Sequence, residues 1–173
     1  MKIFMPLTMA MLLILLSTWA SASHAGRIFR DGCEPDILFR AEDVASPAAA
    51  RILAEARHMT VDQHCIVIGG CWDYIDAVWT RAGFPDGTRR VTVFRSRKRG
   101  PYAPTASIHP GDWLYFINHS YGGIEHSAIF VAWADRTQHQ AYMLSYAGQQ
   151  RDECARYKLY DISNVFQVIR AKG

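Results

Sequence analysis

The chain has 173 residues, about half of them hydrophobic, and a formal charge of +3. That size and apolar content suit one domain with a full core, and the sequence shows no internal repeat, low-complexity tract or linker. The charge is too small to argue for nucleic acid as a partner.

Residues 1–25 carry one early charge, Lys2, then the apolar stretch MAMLLILLSTWASASHA from Met9 to Ala25. A short apolar core closing on Ser23-His24-Ala25 is the pattern of a secretory signal peptide, and it is short for a membrane span. The expected mature domain therefore runs over 26–173, secreted or periplasmic, with no stable membrane span after signal removal. Losing Lys2 leaves 18 basic and 16 acidic residues, a formal +2.

Ser46 and Pro47 form an N-cap followed by proline at the first helical position, so a helix is expected from Ala48 to His58. The segment Gly26–Met59 either completes the core or covers the cleft as a flap. A second helix is expected to begin at Cys71. Trp72, Ile75, Trp79 and Ala82 share one face at helical spacing, with Val78 beside them, and Gly83 and Pro85 end it. Val91–Phe94 reads as a short strand. Arg89, Arg90, Arg95, Arg97, Lys98 and Arg99 flank it as a solvated basic face, with contact to an anionic polymer as the second reading. His109-Pro110-Gly111-Asp112 is a turn into a strand at Trp113–Ile117, with Asp112 expected to cap backbone N–H groups. A polar loop over 118–123 follows. The apolar run His126–Ala134 suits a central strand covered on both faces. Strands at Ala141–Tyr146 and Asn164–Arg170 complete an α+β reading, with helices packed on an antiparallel sheet.

The chemistry concentrates at two places. Cys71 opens its helix in Gly69-Gly70-Cys71-Trp72, where the positive end of the helix dipole favours a thiolate. His126 opens its strand in Glu125-His126-Ser127-Ala128, where an imidazole can serve as the base of a cysteine nucleophile. The other cysteines are Cys33, Cys65 and Cys154. An even count in an exported chain suggests disulfides. Cys33–Cys154 is the expected bridge, and Cys65–Cys71 is the competing pair that would abolish the site. His58, His64 and Cys65 lack a second half at zinc spacing, so no metal is expected.

Taken in order, "CWDYIDAVWTRAGF", "IHPGDWLYFIN", "HSAIFVAW" and "AYMLSYAG" resemble the core of the NlpC/P60 cysteine peptidases, over residues 69–148. The resemblance implies a papain-like fold and hydrolysis of amide bonds in peptidoglycan stem peptides, with no cofactor. It aligns Ser145 with the third catalytic position, where that family commonly has histidine, asparagine or glutamine. It also shows Trp72 where the family usually has a small polar residue. Asp135 or His139 would replace Ser145 if the hairpin were shifted.

The catalytic set is then Cys71, His126 and Ser145. Gly70, Trp72, Asn118, Tyr121 and Glu125 are the expected substrate contacts, and Gly69 and Gly70 are expected to leave room for substrate backbone beside the sulfur. The expected partner is peptidoglycan or a peptide, with an unidentified protein partner also open. Two other functions fit the same residues. One is an inactive wall-binding or interaction module of the same fold. The other is an acyltransferase or amidase acting on a protein or lipid.

Overall fold

The computed structural model describes residues 28–173, so the signal-peptide expectation at 1–25 lies outside the described residues. Among these residues three α-helices, α1 (Pro35–Val44), α2 (Pro47–Arg57) and α3 (Cys71–Arg81), precede six strands. The strands are β1 (Arg90–Arg95), β2 (Trp113–Asn118), β3 (Ile124–Asp135), β4 (Gln140–Ser145), β5 (Arg156–Asp161) and β6 (Val165–Ala171). They form one sheet in the order β1-β6-β2-β3-β4-β5, with every pairing antiparallel. The fold is α+β. Among the described residues no helix is long and apolar enough to cross a membrane.

Alternation along the strands produces two cores. Trp113, Ile129, Val131 and Leu144 face the helices and pack with Leu38, Ile52, Ala56, Tyr74, Val78 and Trp79. Leu114, Phe116, Ala128, Phe130 and Met143 point the other way, beneath Ile108, Ile162 and Val165. The run at 126–134 is apolar because β3 is covered on both sides, as its sequence implies. Trp79 and Trp113 are essentially inaccessible. Each such ring removes roughly 150–250 Å2 from water, on the order of 4–6 kcal/mol at 25 cal/mol per Å2.

Helix α2 starts as its sequence implies: the Ser46 hydroxyl accepts the Ala49 N–H at 3.3 Å, and Pro47 occupies the first turn. Replacing Ser46 by alanine should cost about 0.5–1 kcal/mol, read as a lowered denaturant midpoint at unchanged slope. After Arg57 the chain widens into one π turn, His58–Asp62, where helix was expected to stop at His58. Leu38 and Ala41 of α1, and Ile52, Leu53 and Ala56 of α2, are buried in the helix-side core. The described part of the 26–59 segment thus completes the core, and none of it lines the cleft that holds Cys71.

Several expectations need correction. On α3 the buried stripe is Tyr74, Ile75, Val78 and Trp79, whereas Trp72 is 46% exposed. Trp72 instead lies over the edge of the core, its ring centroid 5.7 Å from that of Trp113 and its other side open to solvent. Arg90 does not belong to a solvated face. Its guanidinium is buried against the Trp79 and Trp113 rings, 5.6 and 5.5 Å from their centroids, and pairs with Asp76 at 2.6 Å. Such a pair, capped by two aromatic faces, is a cation–π arrangement shielded from water. Neither the expected Cys33–Cys154 bridge nor the competing Cys65–Cys71 pair is formed, and no disulfide is found among the described residues. Asp112 accepts the His109 N–H at 2.8 Å, the capping role expected of it, and also makes a buried two-point ion pair with Arg170.

Candidate active site

Helix α3 is set by what lies just before it. The Asp73 carboxylate reaches back to accept the Gly70 N–H at 2.7 Å, fixing the N-cap and adding negative charge at the positive end of the helix. Gly69 has φ +115°, and a β-carbon there would meet the Asp73 carboxylate at 2.2 Å. Only glycine fits. The neighbour that demands it is therefore Asp73, a correction to the expectation that Gly69 leaves room for substrate. The same loop is clamped to the segment after β4. Gly69 N–H donates to Gln149 Oε1 at 2.9 Å, and Gln149 N–H donates to Gly69 O at 3.0 Å. Tyr146 adds a hydroxyl donated to Val67 O at 2.8 Å. The loop presenting Cys71 and the strand presenting Ser145 are thus held as one piece.

His126 lies on the face of β3 turned away from the helices, against Phe116 and Tyr160, with ring centroids 5.6 and 6.0 Å away. Its Nε2 is 2.7 Å from Ser145 Oγ. Ser145 Oγ in turn accepts the Tyr160 hydroxyl at 2.7 Å. A serine oxygen has two acceptor sites. Tyr160 fills one of them; in the tautomer whose Nε2–H donates to the other, Nδ1 is the basic nitrogen of the neutral ring. Burial holds the Tyr160 phenol above its ordinary pKa of 10.0, while its bond to Ser145 acts the other way. It therefore remains a donor at neutral pH.

Burial pushes the Cys71 thiol up, but its interaction with His126, then with the hydroxyl and N–H of Ser127, outweighs that push. The result is a pKa lowered from the ordinary 9.0 to about 7. The Ser127 hydroxyl is itself buried and meets no partner at full hydrogen-bond geometry. We read it as a nearby dipole rather than a formed bond, with His126 supplying the larger part of the offset. At neutral pH roughly half of such a thiol is thiolate.

Cys71, His126 and Ser145 share a cleft of about 460 Å3. Gly70, Asn118, Tyr121 and Glu125, four of the five expected contacts, also line it. Trp72 does not. It opens onto a neighbouring groove with Arg95, Trp113 and Tyr115, which corrects its placement beside the other four. Asn118 is nearly buried, and its Oδ1 accepts the Ser120 hydroxyl at 2.7 Å, so its first task is shaping the loop. Glu125 is paired with Lys98. Asp135 caps the β3–β4 turn through the N–H groups of Thr137 and Gln138, so the hairpin is not shifted and Ser145, rather than Asp135, stands beside His126. His58 pairs with Asp62 at 3.0 Å. A larger hollow of about 790 Å3 beside α1 is lined mainly by apolar side chains and holds no nucleophile beside a base, so the smaller cleft is the candidate site.

Sequence reasoning missed α1 and β5, and with β5 it missed Tyr160, Arg156 and Lys158. Arg156–Asp161 reads RYKLYD, in which charges interrupt the apolar pattern. Its tyrosine-leucine-tyrosine content was the available signal. Replacing Tyr160 by phenylalanine keeps the ring packing and removes only the donor to Ser145. For a cysteine nucleophile acting on an amide in this cleft, turnover should fall about tenfold with KM little changed, measured by steady-state kinetics.

No protein-family model, no curated protein and no solved structure matches this chain.

Proposed function

We propose that this chain is an exported cysteine amidase that hydrolyses amide bonds in peptidoglycan stem peptides, built on a papain-like core of the NlpC/P60 type. One observation carries the reading. A thiol with pKa about 7 at a helix N-terminus faces an imidazole whose far nitrogen is held 2.7 Å from a buried hydroxyl. The order of motifs around Cys71, His126 and Ser145 supports the same family.

In this mechanism the Cys71 thiolate attacks the amide carbon, and its proton resides on His126. The first N–H groups of α3 have no intrahelical partner and stabilise the tetrahedral oxyanion, beginning with that of Cys71. His126 gives its proton to the departing amine as the C–N bond breaks, leaving a thioester. Water, deprotonated by His126, then attacks the thioester, and the carboxylate product leaves with the thiol restored. Ser145, held by Tyr160, keeps the imidazole in the working tautomer throughout. A serine dipole stabilises imidazolium less than a carboxylate does, which fits a modest rather than a fast enzyme.

The test is iodoacetamide labelling of Cys71 across pH, followed by mass-spectrometric assay of purified wall fragments. Fast labelling with a midpoint near pH 7 and release of a new amine from the fragments is the expected result. A Cys71 that labels only near pH 9 would overturn the nucleophile and leave an interaction module. A reactive Cys71 that acylates or cleaves a protein or lipid while leaving wall fragments intact would move the activity to the other substrate class.

A further inference from the structure

The cleft has a charged wall that the chemistry above does not use. Arg151, Arg156 and Lys158 line it on the side of β5, while Glu125 is its one acidic lining residue and is engaged by Lys98. Of the three cations, Arg156 is paired with Glu153. The other two have no carboxylate partner among the described residues. Arg151 donates to the Tyr121 hydroxyl at 3.1 Å, and Lys158 lies 4.6 Å above the Tyr160 ring. Arg156 stands below its ordinary pKa, first through burial and next through the charges of Arg30 and Arg151, a sign of crowded positive charge.

Several cations elsewhere on this domain are matched, although others, among them Arg95, Arg97 and Arg99, also show no carboxylate partner among the described residues. Arg40, Arg57, Arg81, Arg90 and Arg170 each meet a carboxylate within 2.8 Å. Two cations with no carboxylate partner nevertheless line the cleft that holds the sulfur: Arg151 from the 149–151 turn, and Lys158 from edge strand β5, on the wall it shares with the Ser145–Tyr160 pair. Charge of one sign lining a cleft raises the local concentration of the opposite sign and orients it.

We propose that Arg151 and Lys158 form an anion subsite that binds a carboxylate of a peptide substrate next to the scissile bond. This rests on the amidase reading for its substrate, while the subsite itself is testable without turnover. Arg151, tied to Tyr121, stiffens the rim between the 118–123 loop and the 149–151 turn. Lys158 is fixed by the ring beneath it. A carboxylate reaching between them would replace the missing acidic partner of each.

The first measurement compares alkylation of Cys71 by iodoacetate and by iodoacetamide, an anion and its neutral twin. In the double variant Arg151→Gln/Lys158→Met, the ratio of iodoacetate to iodoacetamide rate constants should fall about three- to tenfold. The iodoacetamide rate itself should hold, because neither cation is among the groups that set the Cys71 thiol. Raising the salt should shrink the ratio in the unmodified chain. A ratio unchanged by both substitutions, with circular dichroism showing an intact fold, would overturn the subsite.

The second measurement uses Cys71→Ala protein and calorimetric titration with an acidic wall peptide and its carboxamide twin. The acid should bind several-fold tighter, and the preference should vanish when the two cations are also replaced. Equal binding of acid and amide would overturn the carboxylate assignment. Binding to phosphatidylglycerol vesicles without binding to the peptide would overturn the peptide as its source. Charge discrimination at Cys71 in a protein that cleaves no amide would instead fail the amidase reading and leave the subsite standing.

Discussion

Replacing Cys71 by alanine should lower amide hydrolysis by at least ~10^4-fold at unchanged fold, because the nucleophile and base act as a unit. His126→Ala should cost nearly as much, and it makes a second, independent change. Burial of the thiol remains while its largest counterweight is lost, so the thiol pKa should climb from about 7 toward the ordinary 9.0. Iodoacetamide labelling in the His126→Ala protein should therefore move its midpoint up by more than a pH unit. Identical labelling curves for the two proteins would mean that the imidazole does not activate the sulfur.

The same shift predicts a pH dependence of stability. The thiol ionises more readily in the folded chain, so its contribution is full above pH 9 and is lost as the pH falls through about 7. Against Cys71→Ser, which lacks that group, the advantage of the unmodified chain in Tm should grow between pH 6.5 and pH 9. A gap that shrinks over that range would contradict the sign.

Asp112→Ala should be the most damaging change away from the cleft. Asp112 is 1% exposed and pairs with Arg170 at 2.7 Å while accepting the His109 N–H. Its removal leaves a partly buried guanidinium with only its bond to Ser107 O and no carboxylate, and the His109 N–H without its acceptor, at a cost of about 3 kcal/mol. For a domain of this size that is a fall of roughly 6–12 °C in Tm by calorimetry. Burial nevertheless holds the Asp112 carboxyl above its ordinary 3.8, despite the opposing pull of Arg170. Its ionised form is thus less favoured in the folded chain than in the unfolded one. The stability it lends is fullest below pH 3.8 and declines as the pH rises through the raised value. The pair is costly to break but not strongly stabilising as a pair. Asp112→Asn/Arg170→Met, which keeps the acceptor for His109, should accordingly lose less stability than Asp112→Ala alone. A double variant as unstable as the alanine variant would show that the pair itself is strongly stabilising.

The sequence by itself determined those features that depend on neighbours along the chain. Ser46-Pro47 starts α2, Gly83 ends α3, and the two-sided apolar run at 126–134 makes β3 central, because caps, turns and periodicity are local. Cys71 at a helix start was legible for the same reason, and so was the strand carrying His126, although β3 begins two residues earlier, at Ile124. Charge patterning was a poorer guide. Arg90 looks solvated in a basic run, and its burial follows only from Asp76 and two tryptophans contributed by other elements. Strand β5 stayed hidden because an edge strand carries charges on its open side.

Tertiary structure alone decided the constellation. Ser145 lies nineteen positions beyond His126, and Tyr160 fifteen beyond Ser145, and no spacing rule joins a hydroxyl to a hydroxyl to an imidazole. Sheet pairing of β3, β4 and β5 places them side by side, while the Gly69–Gln149 clamp brings the α3 N-terminus to the same point. The lowered thiol is likewise a property of the assembled site, since burial raises it and only groups delivered by β3 bring it down. Local pattern names the reactive residues; contacts across the sheet set their protonation and orientation.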